Sequence, residues 1–159
     1  MLALVRWLRG LLPAPPVRLR GLRGVGGAAE EAAARALARR GYRVVDRNVR
    51  FRFGELDLVC EHQGVLVFVE VKARRARDHG HPLEAITPGK REQLARLGAA
   101  YLQRLGRSPP CRFDAVAVDL DPAGTAVRVE VVQDAFQPHG TLQPRLRRDR
   151  GRTQPRTIL

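Results

Sequence analysis

An α/β protein, an α+β sandwich with helices against a mixed sheet of about five strands, is the fold class this sequence predicts. Three observations predict it. An Ala-rich stretch and a stretch opened by Thr87 and Pro88 have helical character, five runs read as strands, and they occur in the order helix, three strands, helix, two strands. The run "VLVFV" is apolar at every position from Val65 to Val69, so its strand should be buried on both faces at the centre of the sheet. At 159 residues the chain suits one domain with a real core, and no internal repeat is present.

"AAEEAAARALARRG" reads as the first helix, with Glu30 and Glu31 in its first turn, Arg39 and Arg40 in its last and Gly41 as its stop. Its apolar stripe includes Ala33 and Leu37, which sets Glu30 toward the core edge. "YRVVDRNVRF", "ELDLVCEH" and "VLVFVEVKA" read as three strands, and residues 73–86 as a polar loop. Thr87 is a good helix cap, Pro88 suits the first turn, and that helix should run to about Leu105. "CRFDAVAVDL" and "TAVRVEVVQ" close the fold around a turn at "DPAG".

Residues 1–26, rich in Arg, Pro and Gly, read as a basic arm, residues 27–136 as the folded domain and residues 137–159 as a basic, disordered tail. The net charge of +13 sits mostly at the two ends, where eleven Arg face Asp149 alone. A basic chain favours polyanions, although such tails can be merely solvated. Only Lys72 and Lys90 among the 29 basic residues are lysines. The Arg excess reflects a bias over the whole chain, which says little about a partner but draws attention to the two lysines.

No apolar run approaches the roughly 20 residues of a membrane span. "MLALVRWLRGLLPAPP" has some signal-peptide character, but Arg6 and Arg9 interrupt its apolar region; a short interfacial helix is the alternative. Cys60 and Cys111 lie in apolar strands without metal or disulfide spacing, as expected of a protein in a reducing cytoplasm.

The unusual feature is the acidic and basic set in "GELDLVCEHQGVLVFVEVKARR". A two-residue turn at Gln63 and Gly64 would set Asp57 opposite Glu70, and Glu55 opposite Lys72. A turn at His62 and Gln63 would instead set Glu55 opposite Glu70, and a three-residue loop would break the arrangement. Two acids directly opposed repel. A shared proton or a divalent cation between them would make the pair tolerable, and Mg²⁺ takes oxygen ligands of this kind. On spacing alone the same pattern suits a solvated strand end, with Glu55 and Lys72 an exposed pair. Glu30, arriving from the first helix, would add a third carboxylate.

"AEEAAARALARRGYRVVDRNVRFRFGELDLVCEHQGVLVFVEVKARR", followed by "EAITPGKREQL" and "RFDAVAV", resembles the bacterial YraN family, itself similar to Holliday junction resolvases and placed with the PD-(D/E)xK, restriction-endonuclease-like nucleases. The resemblance runs from about Gly27 to Val118, with Ala29 where a Gly usually precedes the helical acid. It implies a restriction-endonuclease-like fold and hydrolysis of phosphodiester bonds in branched or flapped DNA with Mg²⁺ or Mn²⁺. It further implies that Asp57, Glu70 and Glu30 hold the metal and that Lys72 orients or activates the attacking water. Glu55 would lie behind these residues or anchor Lys72, while Thr87 and Lys90 match a helix start at which Lys90 could contact phosphate. Likeness to junction resolvases implies a homodimer. A nucleic-acid-binding protein without turnover and a ribonuclease are the alternatives.

Among the other candidates, His79 and His81 are expected to be solvated loop residues. Trp7, Phe51, Phe53 and Phe136 could stack on bases, but in a chain this poor in aromatics packing is the expected role.

Overall fold

The computed structural model describes residues 25–75 and 86–138. The N-terminal arm with Trp7, the loop carrying His79 and His81, and all but the start of the C-terminal tail lie outside the described residues.

Helix α1 (Val25–Arg39) leads into strands β1 (Arg43–Phe51), β2 (Gly54–His62) and β3 (Val65–Arg75). Helix α2 (Pro88–Leu105) follows, then β4 (Cys111–Leu120) and β5 (Ala126–Phe136). The order αβββαββ is as expected. The strands form one sheet in the order β1-β2-β3-β4-β5, antiparallel except for the parallel pair β3–β4. Strand β3 is therefore central, as its two-faced apolar run requires.

Each helix covers its own core. Ala29, Ala33 and Leu37 of α1 pack with Leu58, Val67, Val69 and Val118. Leu94, Leu97 and Leu102 of α2 pack with Leu56, Val59, Phe68 and Phe113. Successive residues of β3 feed the two cores in turn, which is why that strand has no polar position before Glu70.

Three boundaries differ from expectation. Helix α1 begins at Val25, so Glu30 and Glu31 lie beyond its first turn; packing of the small Ala face overrides the poor propensity of Gly26 and Gly27. Strand β3 runs on to Arg75 where a loop was expected, because Ala73, Arg74 and Arg75 pair with Val118, Asp119 and Leu120 and Arg74 Nε donates to Asp119 at 2.8 Å. Strand β5 reaches Phe136 through an irregularity at Asp134, whose φ is 50°, and this returns Phe136 opposite Phe113.

Candidate active site

The β2–β3 hairpin decides where the acids go. Gln63 and Gly64 form the turn with φ of 52° and 81°, both left-handed as a type I′ turn requires. The ladder then runs from His62 opposite Val65 to Leu58 opposite Val69, which is the first of the two registers open to the sequence. Beyond that pair the ladder ends. Asp57 Oδ2 accepts the Val71 N–H at 2.7 Å, so a carboxylate takes the place of a backbone acceptor where the strands part.

A second irregularity sits on the other side of Asp57. Leu56 belongs to the core under α2 and Leu58 to the core under α1, so the alternation of β2 slips at the residue between them. Asn48 lies between the pairs Arg47–Leu58 and Val49–Leu56 and has φ of 52°, a left-handed conformation that Asn tolerates better than most residues. Its Nδ2 donates to Glu30 Oε2 at 3.0 Å, tying the α1 acid to the strand opposite Asp57.

Glu70 is 4% exposed. Lys90 Nζ of α2 lies 3.0 Å from its Oε1 and Lys72 Nζ lies 3.9 Å from the same oxygen. Both lysines of the chain therefore meet on one carboxylate oxygen. The other oxygen, Oε2, is buried with no hydrogen-bond partner among the described residues. An unsatisfied buried acceptor is costly, so Oε2 has the character of a ligand in waiting. Burial, then the Glu70 charge, push the Asp57 carboxyl up to about 7; Glu30 adds to the rise, while the Val71 N–H and Lys90 oppose it.

Two carboxylates, one proton-retaining and one with a bare oxygen, fit a hard divalent cation whose remaining ligands are water and phosphate. Among the described residues no three His, Cys, Asp or Glu side chains gather into a group that would by itself hold a metal ion. Glu30 is close enough to influence Asp57 electrostatically, but its Oε2 is engaged by Asn48.

Thr87 caps α2, its Oγ1 accepting the Lys90 N–H at 3.3 Å, and Pro88 occupies the first turn as expected. This cap aims Lys90 at Glu70. Glu55 is a correction. The two registers would set it opposite Lys72 or Glu70, but it pairs with Arg50 Nε at 3.2 Å across the β1–β2 ladder, because β2 and β3 have separated before reaching it.

Sequence reasoning overlooked a second polar centre. Asp114, 1% exposed, accepts from Tyr42 Oη at 2.7 Å, Arg112 Nε at 2.9 Å and the Asp134 N–H at 2.9 Å. Arg112 Nη2 reaches His62 Nδ1 at 2.9 Å; since arginine only donates, that nitrogen is the acceptor and the ring proton belongs on Nε2. His62 stacks on Tyr42 with ring centroids 4.0 Å apart. The detectable signal was Asp114 itself, an acid at the head of the apolar run "AVAV". His62 is at the far end of β2 from Asp57, roughly 16 Å along the strand, and every polar group named is satisfied internally, which marks a structural centre rather than a reactive one.

Cys60 is buried and Cys111 half-buried, both as free thiols, and burial above all pushes the Cys60 thiol up to about 12, away from reactivity. Among the described residues no helix is long and apolar enough to cross a membrane.

Residues 29–118 match the model of the family described as "Uncharacterised protein family UPF0102". A UPF0102 protein of Symbiobacterium thermophilum is 55% identical over 115 residues, covering 72% of this chain and 97% of the relative. One from Clavibacter michiganensis is 48% identical over 107 residues, covering 67% and 90%. One from Syntrophus aciditrophicus is 43% identical over 110 residues, covering 68% and 84%. The match includes Glu30, Asp57, Glu70, Lys72 and Lys90, and ends before β5.

Proposed function

The chain belongs to the UPF0102 family, the YraN group that its sequence resembles, and on that footing we propose that it is a metal-dependent endonuclease hydrolysing phosphodiester bonds in branched or structured DNA. The observation that carries the reading is the buried Asp57–Glu70 pair, with one bare carboxylate oxygen and two lysines on the other. Mg²⁺ or Mn²⁺ held by Asp57 and Glu70, with Glu30 beside them, would supply Lewis-acid polarisation of a phosphoryl oxygen and activation of water.

The remaining work falls to side chains of the chain itself. Lys72 is 45% exposed at the rim, so its ammonium can orient a water and stabilise charge developing on the phosphate. Lys90, more enclosed at 28%, holds Glu70 in place and presents positive charge beside the N-terminus of α2, where phosphate is favoured. Asp57 accepts the Val71 N–H on Oδ2, which fixes its carboxyl where β2 and β3 part. The net charge of +13 attracts the DNA backbone without reading sequence. A homodimer would offer two such sites to a two-fold symmetric junction.

The rival reading is that the same fold binds nucleic acid without turnover, since a fold does not fix a function. Labelled four-way-junction, flap and linear DNA, incubated with Mg²⁺ or Mn²⁺, separates the two. The nuclease reading expects the wild type to cut and Asp57→Ala and Lys72→Ala to bind without cutting. Equal binding by all three proteins with no cleavage under either metal would leave the binding protein; a ribo version of the same substrate distinguishes a ribonuclease.

A further inference from the structure

Phe53 and Val127 are the exposed large hydrophobic residues among the described residues. Phe53 is at the tip of the β1–β2 hairpin, 44% exposed, in the sequence "RFRFG". An aromatic ring at a hairpin tip could be a chance exposure, but this one is braced. Its ring packs against Phe51 with centroids 5.8 Å apart, and Phe51 is backed by the Arg104 guanidinium 4.7 Å from its centroid. Gln93 Nε2 donates to the Phe53 carbonyl at 2.9 Å. The backbone there approaches α2 so closely that a Cβ on Gly54 would lie 2.7 Å from Gln93 Nε2.

That bracing fixes the ring relative to the acids. Gln93 holds the hairpin tip and Lys90 holds Glu70, and the two residues are neighbours one turn apart on α2. Phe53 lies four positions before Asp57, roughly 13 Å along the strand and about the length of three or four stacked nucleotides. Arg50 and Arg52 precede it on the same hairpin with exposed side chains, Arg50 paired with Glu55, so positive charge for a phosphate lies beside the ring.

We propose, on the premise that the chain acts on nucleic acid as argued above, that Phe53 is a stacking platform for an unpaired base a few nucleotides from the scissile region and gives the site its selectivity for branched over continuous DNA. An unpaired base offers a π-face that a closed duplex keeps covered, and stacking on an aromatic ring is tolerant of base identity. The arginines supply backbone affinity; the ring discriminates.

Full-length wild type, Phe53→Leu and Phe53→Trp are compared in EDTA for binding to a flapped duplex and to a continuous duplex of the same length, by fluorescence anisotropy. Leucine keeps the apolar character but not the π-face, and tryptophan keeps both. Phe53→Leu is expected to lose roughly 5- to 150-fold in affinity for the flap, with duplex affinity and melting temperature unchanged, and Phe53→Trp to retain wild-type preference. The proposal is overturned if Phe53→Leu binds the flap as wild type does, or weakens on flap and duplex alike. Cleavage with Mn²⁺ is scored separately. A wild type that cuts while Phe53→Leu binds normally leaves the nuclease and removes the platform; loss of flap preference in Phe53→Leu, with no cleavage by any protein, leaves the platform and removes the nuclease.

Discussion

Asp57 shows how a single carboxyl can record the design of the site. Burial makes its ionisation costly and the nearby Glu70 charge makes it more so, which is why its pKa is raised from 3.8 to about 7. Between those values the folded chain holds a proton that the unfolded chain has released, so stability falls as pH rises from about 4 to 7 and is level above. A displacement of that size is worth at most about 4 kcal/mol. Asp57 is partly open to solvent, and screening brings the expected effect to about 1–3 kcal/mol. Asp57→Asn, which keeps an acceptor for the Val71 N–H, should flatten that pH dependence in urea titrations between pH 4 and 8. A slope identical to wild type would mean that Asp57 ionises without hindrance. That Asp57 and Glu70 are acids set in otherwise apolar strands was legible from the sequence, although their spacing alone equally suited a solvated strand end. That Lys90 rather than Lys72 makes the shorter contact with Glu70 was not, because it depends on how α2 docks.

At the scale of elements, the two ends of the sheet do opposite work. At the Asp57 end, β2 and β3 separate and polar groups are left with capacity to spare. At the other end, Asp114 binds β4 to the start of β1 through Tyr42 and to the end of β5 through the Asp134 N–H, with Arg112 and Gln133 completing the set. Buried networks of this kind are stabilising only when complete. Asp114→Ala strands the Arg112 guanidinium and the Tyr42 hydroxyl together and should cost about 3–5 kcal/mol. Tyr42→Phe, which removes one hydroxyl, should cost about 1–3 kcal/mol. Chemical denaturation measures both, and DNA affinity per folded molecule should be unaffected by Tyr42→Phe. A neutral Asp114→Ala would show that the network is incidental to the fold.

For the molecule as a whole, charge is divided between a neutralised body and basic ends. Within the body, Arg43 pairs with Glu61, Arg47 with Glu31, Arg50 with Glu55, Arg74 with Asp119 and Arg112 with Asp114. Much of the positive excess lies instead in the end segments, whose eleven Arg face one Asp. Each phosphate contact contributes about 0.9 to the slope of log affinity against log salt concentration on B-DNA. Replacing Arg145, Arg147, Arg148, Arg150 and Arg152 with Gln should therefore make that slope shallower by one or more and weaken binding at low salt. An unchanged slope would assign the phosphate contacts to the folded body.

The Gln63–Gly64 turn was one of the alternatives the sequence left open, whereas element order, the central place of β3 and the Thr87 cap could all be read from the chain, because each rests on local propensity or on the period of apolar residues. So could the acids of "GELDL" and "VEVK", which stand out against an apolar strand. The separation of β2 from β3 could not, nor the slip in alternation at Asp57, nor the pairing of Glu55 with Arg50. Each of these arises where local periodicity is interrupted by contacts from residues distant in sequence: Asn48 reaching Glu30, Val71 taking up Asp57, Lys90 arriving on Glu70. Periodicity places a residue on a strand, but only packing of the helices onto the sheet determines which charged groups meet and which buried oxygen is left without a partner among the described residues.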